Sequence, residues 1–314
     1  MTTGCPTPAR RPPASAGARR RGELGDFLRT RRHHLVRSEL GLPPVARRRA
    51  TGLRREEIAT LSGVSVTWYT WLEQGRDIHP SRQVLDALAR TMRLTPAEHT
   101  YLLSLAGHAL PAPGPGRPAD PAPGSMEHLL DALEGSPAFT IGVDWSVTAW
   151  NRAYTALYPA VRTLDPGDRN LLWSVFTDPA VRDLLPDWAT TSRRFLAEFR
   201  AEAGPRLHEP ACARVVDRLL RASAEFREGW ESHDIEGFTS RERVFRTPAG
   251  ILHFEHHRLA PSDHPELHLV IYTAVPGTGT AELMRQLLDV EGDARAEGGS
   301  EPGDGERNSP PGST

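Results

Sequence analysis

With 314 residues, 38% hydrophobic and 25% charged, the chain has room for two ordinary domains, and its composition excludes a collagen, a coiled coil or a wholly disordered polymer. No run approaches the roughly 18 uninterrupted apolar residues of a membrane span, and the Arg-rich start has no apolar segment behind it. Two cysteines make neither a disulfide framework nor a metal site, so a cytoplasmic protein without a membrane partner, bound metal or cofactor is expected. The net charge of -2 conceals an asymmetry. Residues 1–110 hold 18 Arg against 9 acidic residues, a net of +9, and residues 111–314 hold 20 against 31, a net of -11. A basic first half suits a polyanionic partner, because phosphate binding follows cation density.

Residues 1–22 carry no Val, Ile, Leu or aromatic side chain and are expected to be a disordered Arg/Pro-rich tail. Residues 23–107 read as helices only. The first runs from about Leu24 to Leu35 and is followed by a loop containing Gly41, Pro43, Pro44 and Gly52. The second starts near Arg54 and ends at Leu61, broken by Ser62 and Gly63. Ser65 caps a third that reaches Gln74 and is closed by Gly75. Ser81 caps a fourth, whose Val84, Leu85, Leu88, Ala89 and Met92 recur at the helical period. Thr95, Pro96 and Glu98 form a capping box that opens a fifth helix, which stops at Gly107.

The tight turn between the second and third helices predicts a helix-turn-helix, and the run LRREEIATLSGVSVTWYTWLEQG resembles the Cro and phage-repressor (XRE) class. The strings ELGDFLRTRRHHL, GLPP, RRRATGLRREEIA and VLDALARTMRL make residues 23–107 similar to the MmyB-like regulators of actinobacteria. In a helix-turn-helix the third helix lies in the major groove of duplex DNA. Val64, Tyr69 and Leu72 are expected to face inward, leaving Val66, Thr67, Thr70 and Trp71 toward the bases. Ser65 and Thr67 offer hydroxyls, and Val66 suits a thymine methyl. Arg54, Arg76 and the run Arg47, Arg48 and Arg49 are expected on phosphates, which position the domain without specifying sequence. The resemblance places Arg55 over the DNA backbone and groove edge and makes Arg32 and Glu73 an interior ion pair. Trp71 departs from it, standing where Arg is expected.

Residues 108–124, with six Pro and three Gly in seventeen, predict an extended linker and mark the domain boundary. Within residues 125–290, Glu127–Leu133 reads as a short helix. AFTIGV and SVTAWN read as strands around an Asp144-Trp145 turn, and Asn151 caps a helix to Tyr158. A helical middle follows, including DWATTSRRFLAEFRAEAG and PACARVVDRLLRASAEFREGWESH. Strands return at ERVFRT, GILHFEHHRLA and LHLVIYTAV, with Pro248–Gly250 as a hairpin turn. A strand pair, helices and a three-strand meander make an α+β arrangement like a PAS sensor. Residues 291–314 are expected to be a second disordered tail.

The order PAFTIGVDWSVTAWNRAYTALY, NLLWSVFTDP, EFREGWESHDI, RTPAGILHFEHHRL and LVIYTAVPGTGTAEL resembles the MmyB ligand-binding domain, with Thr247-Pro248 standing where His-Pro is expected. The resemblance implies a fatty-acyl or similarly apolar ligand. Trp150, Tyr154, Phe176, Trp230, His233 and Phe254 are the candidates for its lining, with Asn151 and His233 as polar anchors. His253, Glu255 and His257 alternate on one strand face and read as exposed residues rather than ligands of one metal ion. No Walker, G-x-G-x-x-G, G-x-S-x-G or H-E-x-x-H motif occurs, so no enzyme is expected. The sequence therefore predicts an all-α Cro-like helix-turn-helix domain joined to an α+β PAS-like domain, acting as a homodimeric, ligand-responsive transcription regulator on a DNA operator. The alternative is a regulator whose acidic C-terminal domain binds a protein partner in place of a small ligand.

Overall fold

The computed structural model of the protein describes residues 16–43, 52–108, 124–207 and 209–298. The N-terminal unit consists of α1 (Ala16–His34), α2 (Arg55–Ser62), α3 (Val66–Glu73), α4 (Arg82–Thr91) and α5 (Pro96–Leu105), with a 3-10 turn at Arg37–Leu40. Short side chains fix where these helices begin. Ser65 Oγ accepts the Trp68 amide at 3.1 Å, and Ser81 Oγ accepts that of Val84 at 3.4 Å. Thr95 and Glu98 exchange bonds as a capping box, at 3.3 and 2.6 Å, with Pro96 in the first turn where its missing N–H costs nothing. Gly63 turns the chain between α2 and α3 at φ 69°, a left-handed conformation that favours glycine. The five helices bury Leu24, Phe27, Leu28, Ile58, Tyr69, Leu72, Leu85, Leu88, Tyr101 and Leu102 in one core. Each large apolar side chain buried there is worth roughly 1.5–3 kcal/mol.

Helix α1 begins at Ala16, so residues 16–22, expected as tail, are helical. Ala and Arg are strong helix formers, and the segment is tied down at a distance, by Arg19 to Asp217 at 3.5 Å and Arg21 to Asp77 at 3.2 Å.

The C-terminal unit runs α6 (Gly124–Asp131), β1 (Ala138–Ile141), β2 (Val147–Trp150), α7 (Arg152–Leu157), α8 (Leu171–Thr177), α9 (Pro179–Leu184), α10 (Trp188–Ala203), α11 (Pro210–Ala222), α12 (Ala224–Glu231), β3 (Glu242–Thr247), β4 (Gly250–Leu259), β5 (His268–Ala274) and α13 (Thr280–Gly298). The strands form one antiparallel sheet in the order β2-β1-β5-β4-β3. Its inner face carries Phe139, Phe245, Phe254 and Tyr272 into a core shared with Tyr154, Leu172, Phe195, Phe199 and Phe226 of the helices. On the outer face α6 lays Met126 and Leu130 over Ala138, Ala149 and Leu269. Helix α13 runs through residues 291–298, expected as the start of the second tail, and residues 299–314 lie outside the described residues. The helix is held by Met284, which is buried, and by Leu283, Leu287 and Leu288 packed on the core.

The two units touch. Helix α5 meets α10 and the 3-10 turn Gly204–Arg206 that follows it, and Glu23 of α1 binds Arg200 of α10. Gly204 lies so close to the Tyr101 ring that a Cβ there would stand 2.4 Å away.

Candidate nucleic-acid interface and ligand groove

The α2-turn-α3 unit presents α3 with Tyr69 and Leu72 inward and fully buried. Val66, Thr67 and Trp71 are exposed and Thr70 is half-exposed, so four side chains expected to face bases share an open surface. Ser65 is exposed, but its hydroxyl is already used as the cap of α3. Arg76 is exposed and reaches over the Trp71 ring at 5.5 Å, keeping a guanidinium beside the reading face. Arg47, Arg48 and Arg49 lie outside the described residues.

Arg29, Arg32, His33, Arg54, Arg55 and Glu56 line a hollow of about 550 Å³ between α1 and the start of α2. Arg54 is exposed at the N-terminal end of α2, where the helix dipole favours an anion. Burial and the adjacent Arg32 push His33 below its ordinary pKa, so the hollow's positive charge resides on its guanidinium groups. The chemistry of such a concave arginine cluster suits a phosphate group.

Arg55 is half-exposed in the wall of this hollow, and its Nε is bonded to Glu73 Oε2 at 2.6 Å. Glu73 also takes Arg32, at 2.6 Å to Oε1 and 3.2 Å to Oε2, and Arg32 in turn donates to the Leu53 carbonyl at 2.8 Å. Burial alone would raise the Glu73 carboxyl, but hydrogen bonds from Arg32 and Arg55 outweigh it and hold the group below the usual carboxylate range. The interior pair implied by the resemblance is thus present, extended by a third member. Arg29 and His33 were missed as parts of the hollow, although they lie within a turn of Arg32 on one helix.

In the C-terminal unit the sequence candidates for a ligand site divide into separate places. Asn151 is buried as the cap of α7. Its Oδ1 accepts from Tyr154 N at 2.9 Å and Ala138 N at 3.0 Å, and its Nδ2 donates to Leu133 O and Ser136 O, both at 2.8 Å. That uses its whole hydrogen-bonding capacity. Tyr154 packs on Phe139 at 4.4 Å, and Phe254 packs among Phe245 and Tyr272. Trp150 is half-buried beneath Arg169 at 5.4 Å. Phe176 and Trp230 sandwich Phe226, edge-on at 5.2 Å and stacked at 5.5 Å. His233 lies at the seam between the two units, its Nδ1 2.6 Å from Arg200 Nη1. On β4, His253 bonds Glu242 of the neighbouring strand and His257 bonds Thr273. Among the described residues no cluster could hold a metal ion, and no helix is long and apolar enough to cross a membrane.

None of these candidates lines the large groove of this unit, of about 1400 Å³, which opens between α7, α9, the β3–β4 hairpin and α13. Its walls include Ala156, Leu157, Pro159, Leu184, Leu287 and Val290, with Arg162 and Arg246 as cations. Arg162 is paired with Glu291 at 3.4 Å, whereas Arg246 is exposed on β3. The groove depends on α13, and the signal that could have revealed it is the helical spacing of Leu283, Met284, Leu287 and Leu288.

A helix-turn-helix with an open third helix, joined to a separate α+β domain bearing an apolar groove, defines a DNA-binding transcription regulator with a ligand-binding domain. Residues 122–288 match the MmyB-like transcription regulator ligand binding domain, and residues 23–102 match a helix-turn-helix domain. The chain belongs to the MmyB-like transcription regulators. No curated protein matches it.

Proposed function

We propose that the protein is a sequence-specific regulator that binds its operator as a homodimer and responds to a fatty-acyl or similarly apolar small molecule. The observations that carry the DNA reading are the open stripe of Val66, Thr67, half-exposed Thr70 and Trp71 on α3 and the arginine-lined hollow between α1 and α2. The stripe offers base-edge contact and the hollow offers phosphate contact, and the hollow is tied to α3 by the bonds of Arg32 and Arg55 to Glu73. A reading helix of eight residues spans only a few base pairs, and two copies on half-sites about one helical turn apart supply the missing specificity.

The ligand reading rests on the groove against α13. Its volume exceeds the roughly 300–1,000 Å³ of ordinary small-molecule sites, so a long chain fits without expansion. Arg246 is the cation available to an acidic head group. The sheet order β2-β1-β5-β4-β3, with helices inserted after the first two strands, supports a PAS-like arrangement.

Thermal melts of the full chain with a series of saturated fatty acids test the ligand reading. A bound ligand at about 100 times its Kd adds about 2.7 kcal/mol and raises Tm. No shift with any chain length favours a protein partner for the C-terminal domain.

A further inference from the structure

Helix α1 is gripped on two sides. Toward the reading helix, Arg32 binds the Glu73 carboxylate and Arg29 donates to the Glu73 carbonyl at 2.9 Å. Gly25 approaches so closely that a Cβ there would stand 2.5 Å from the same carbonyl oxygen. Toward the ligand-binding domain, Glu23 Oε1 receives Arg200 Nη1 at 2.7 Å and the Tyr101 hydroxyl at 2.8 Å, and Arg31 donates to the His233 carbonyl at 2.6 Å.

Arg200 is fully buried, its guanidinium lying 3.9 Å over the Trp230 ring and donating to the Trp230 carbonyl. Trp230 stacks on Phe226, which meets Phe176. His233, bonded from both domains, holds a left-handed backbone at φ 52°, a conformation that persists only where the surroundings impose it. A buried guanidinium requires its counter-charge. Loss of the Glu23 contact therefore leaves the Arg200 charge buried without its counter-charge.

We propose that the ligand-binding domain controls DNA binding through this contact: the grip of Arg200 on Glu23 orders α1, and α1 orders the end of the reading helix α3. The proposal rests on the regulatory reading above. It differs from general packing between domains because it names a route, Phe176–Phe226–Trp230–Arg200–Glu23, that ends on Glu73 of α3. Loosening the far end of α3 imposes an ordering cost when DNA binds, so breaking the contact weakens binding.

The test uses the full chain with Arg200→Met, with far-UV spectra to verify folding. The double variant Glu23→Gln/Arg200→Met leaves no unpaired charge in the seam and serves if the single variant does not fold. Hydrogen exchange at the amides of Leu72, Glu73 and Gln74 is expected to rise about fivefold or more, with α4 unchanged. A duplex recovered with the unmodified chain by selection from a random pool is expected to bind the variant about fivefold more weakly. Leu269→Ala, which loosens the outer face of the sheet, is expected to leave α3 exchange unchanged. Unchanged α3 exchange in the Arg200 variant, unchanged DNA affinity, or an equal rise from Leu269→Ala overturns the proposal. If the unmodified chain enriches no duplex, the regulatory reading falls, and the exchange measurement alone decides the coupling.

Discussion

Arg32 of α1 and Glu73 at the end of α3 form a buried ion pair, Nε to Oε1 at 2.6 Å, and the same carboxylate binds Arg55 of α2 at 2.6 Å. Three helices are thereby joined at one acidic side chain. Glu73→Ala leaves Arg32 buried without its partner and is expected to cost about 3–5 kcal/mol in urea unfolding. The carboxyl is held below its ordinary value of 4.5. Its contribution is fully present above that pH and lost as pH falls through the depressed folded value. Stability of the unmodified chain should fall on acidification there, and the Glu73→Gln variant should lack that part of the fall.

A second acid transition belongs to the other domain. His256 is buried against Phe238 and Tyr272, and burial together with Arg243 and Arg258 pushes it down to about 3. It is neutral in the fold and must gain a proton on unfolding at mildly acidic pH. The stability it confers is full above its ordinary value of 6.5 and declines as pH falls toward about 3. His256→Phe keeps an aromatic ring in place and should flatten that decline in a series of melts from pH 7 to about pH 4.

Two kinds of DNA contact should separate cleanly. Arg54→Ala removes an exposed cation from the hollow and should weaken binding to all duplexes alike, lowering the log-log salt slope by about 0.9 for one lost phosphate. Thr67→Ala on the open face of α3 should instead change which sequences are preferred. Anisotropy against salt reads the first, and selection from a random pool reads the second. An unchanged preference removes Thr67 from the reading face.

Ligand response and domain stability should likewise divide between Leu287 and Asn151. Leu287→Asp places a charge in the groove wall and should abolish the rise in Tm produced by a fatty acid. Asn151→Ala removes a helix cap and leaves buried amides and carbonyls without partners, at a cost of about 2–4 kcal/mol. It should leave the ligand-induced shift intact. Melts of both variants with and without fatty acid check this.

Elements of both domains were legible where their causes are local. Ser65, Ser81, the Thr95/Glu98 box and Gly63 start and stop helices through bonds within a few residues, and the five strands follow from short β-branched and aromatic runs. What escaped depends on distant partners. Residues 16–22 contain no Val, Ile, Leu or aromatic side chain, but Arg19 reaches Asp217. Arg200 and Glu23 lie 177 positions apart, and no spacing rule joins them. The candidate ligand residues were chosen for aromatic character, which also describes a core. Asn151 caps α7, and the sequence alone does not separate a capping Asn from a ligand-binding one, because the residue type is the same.

The most direct measurement is selection of duplexes from a random pool by the full chain, followed by an anisotropy titration of the enriched sequence at several salt concentrations. One enriched sequence, built from two half-sites about 10 base pairs apart and bound with an affinity that falls steeply with salt, is the predicted result. No enrichment, or an affinity indifferent to salt, would contradict the assignment of α3 and its arginine-lined hollow to DNA.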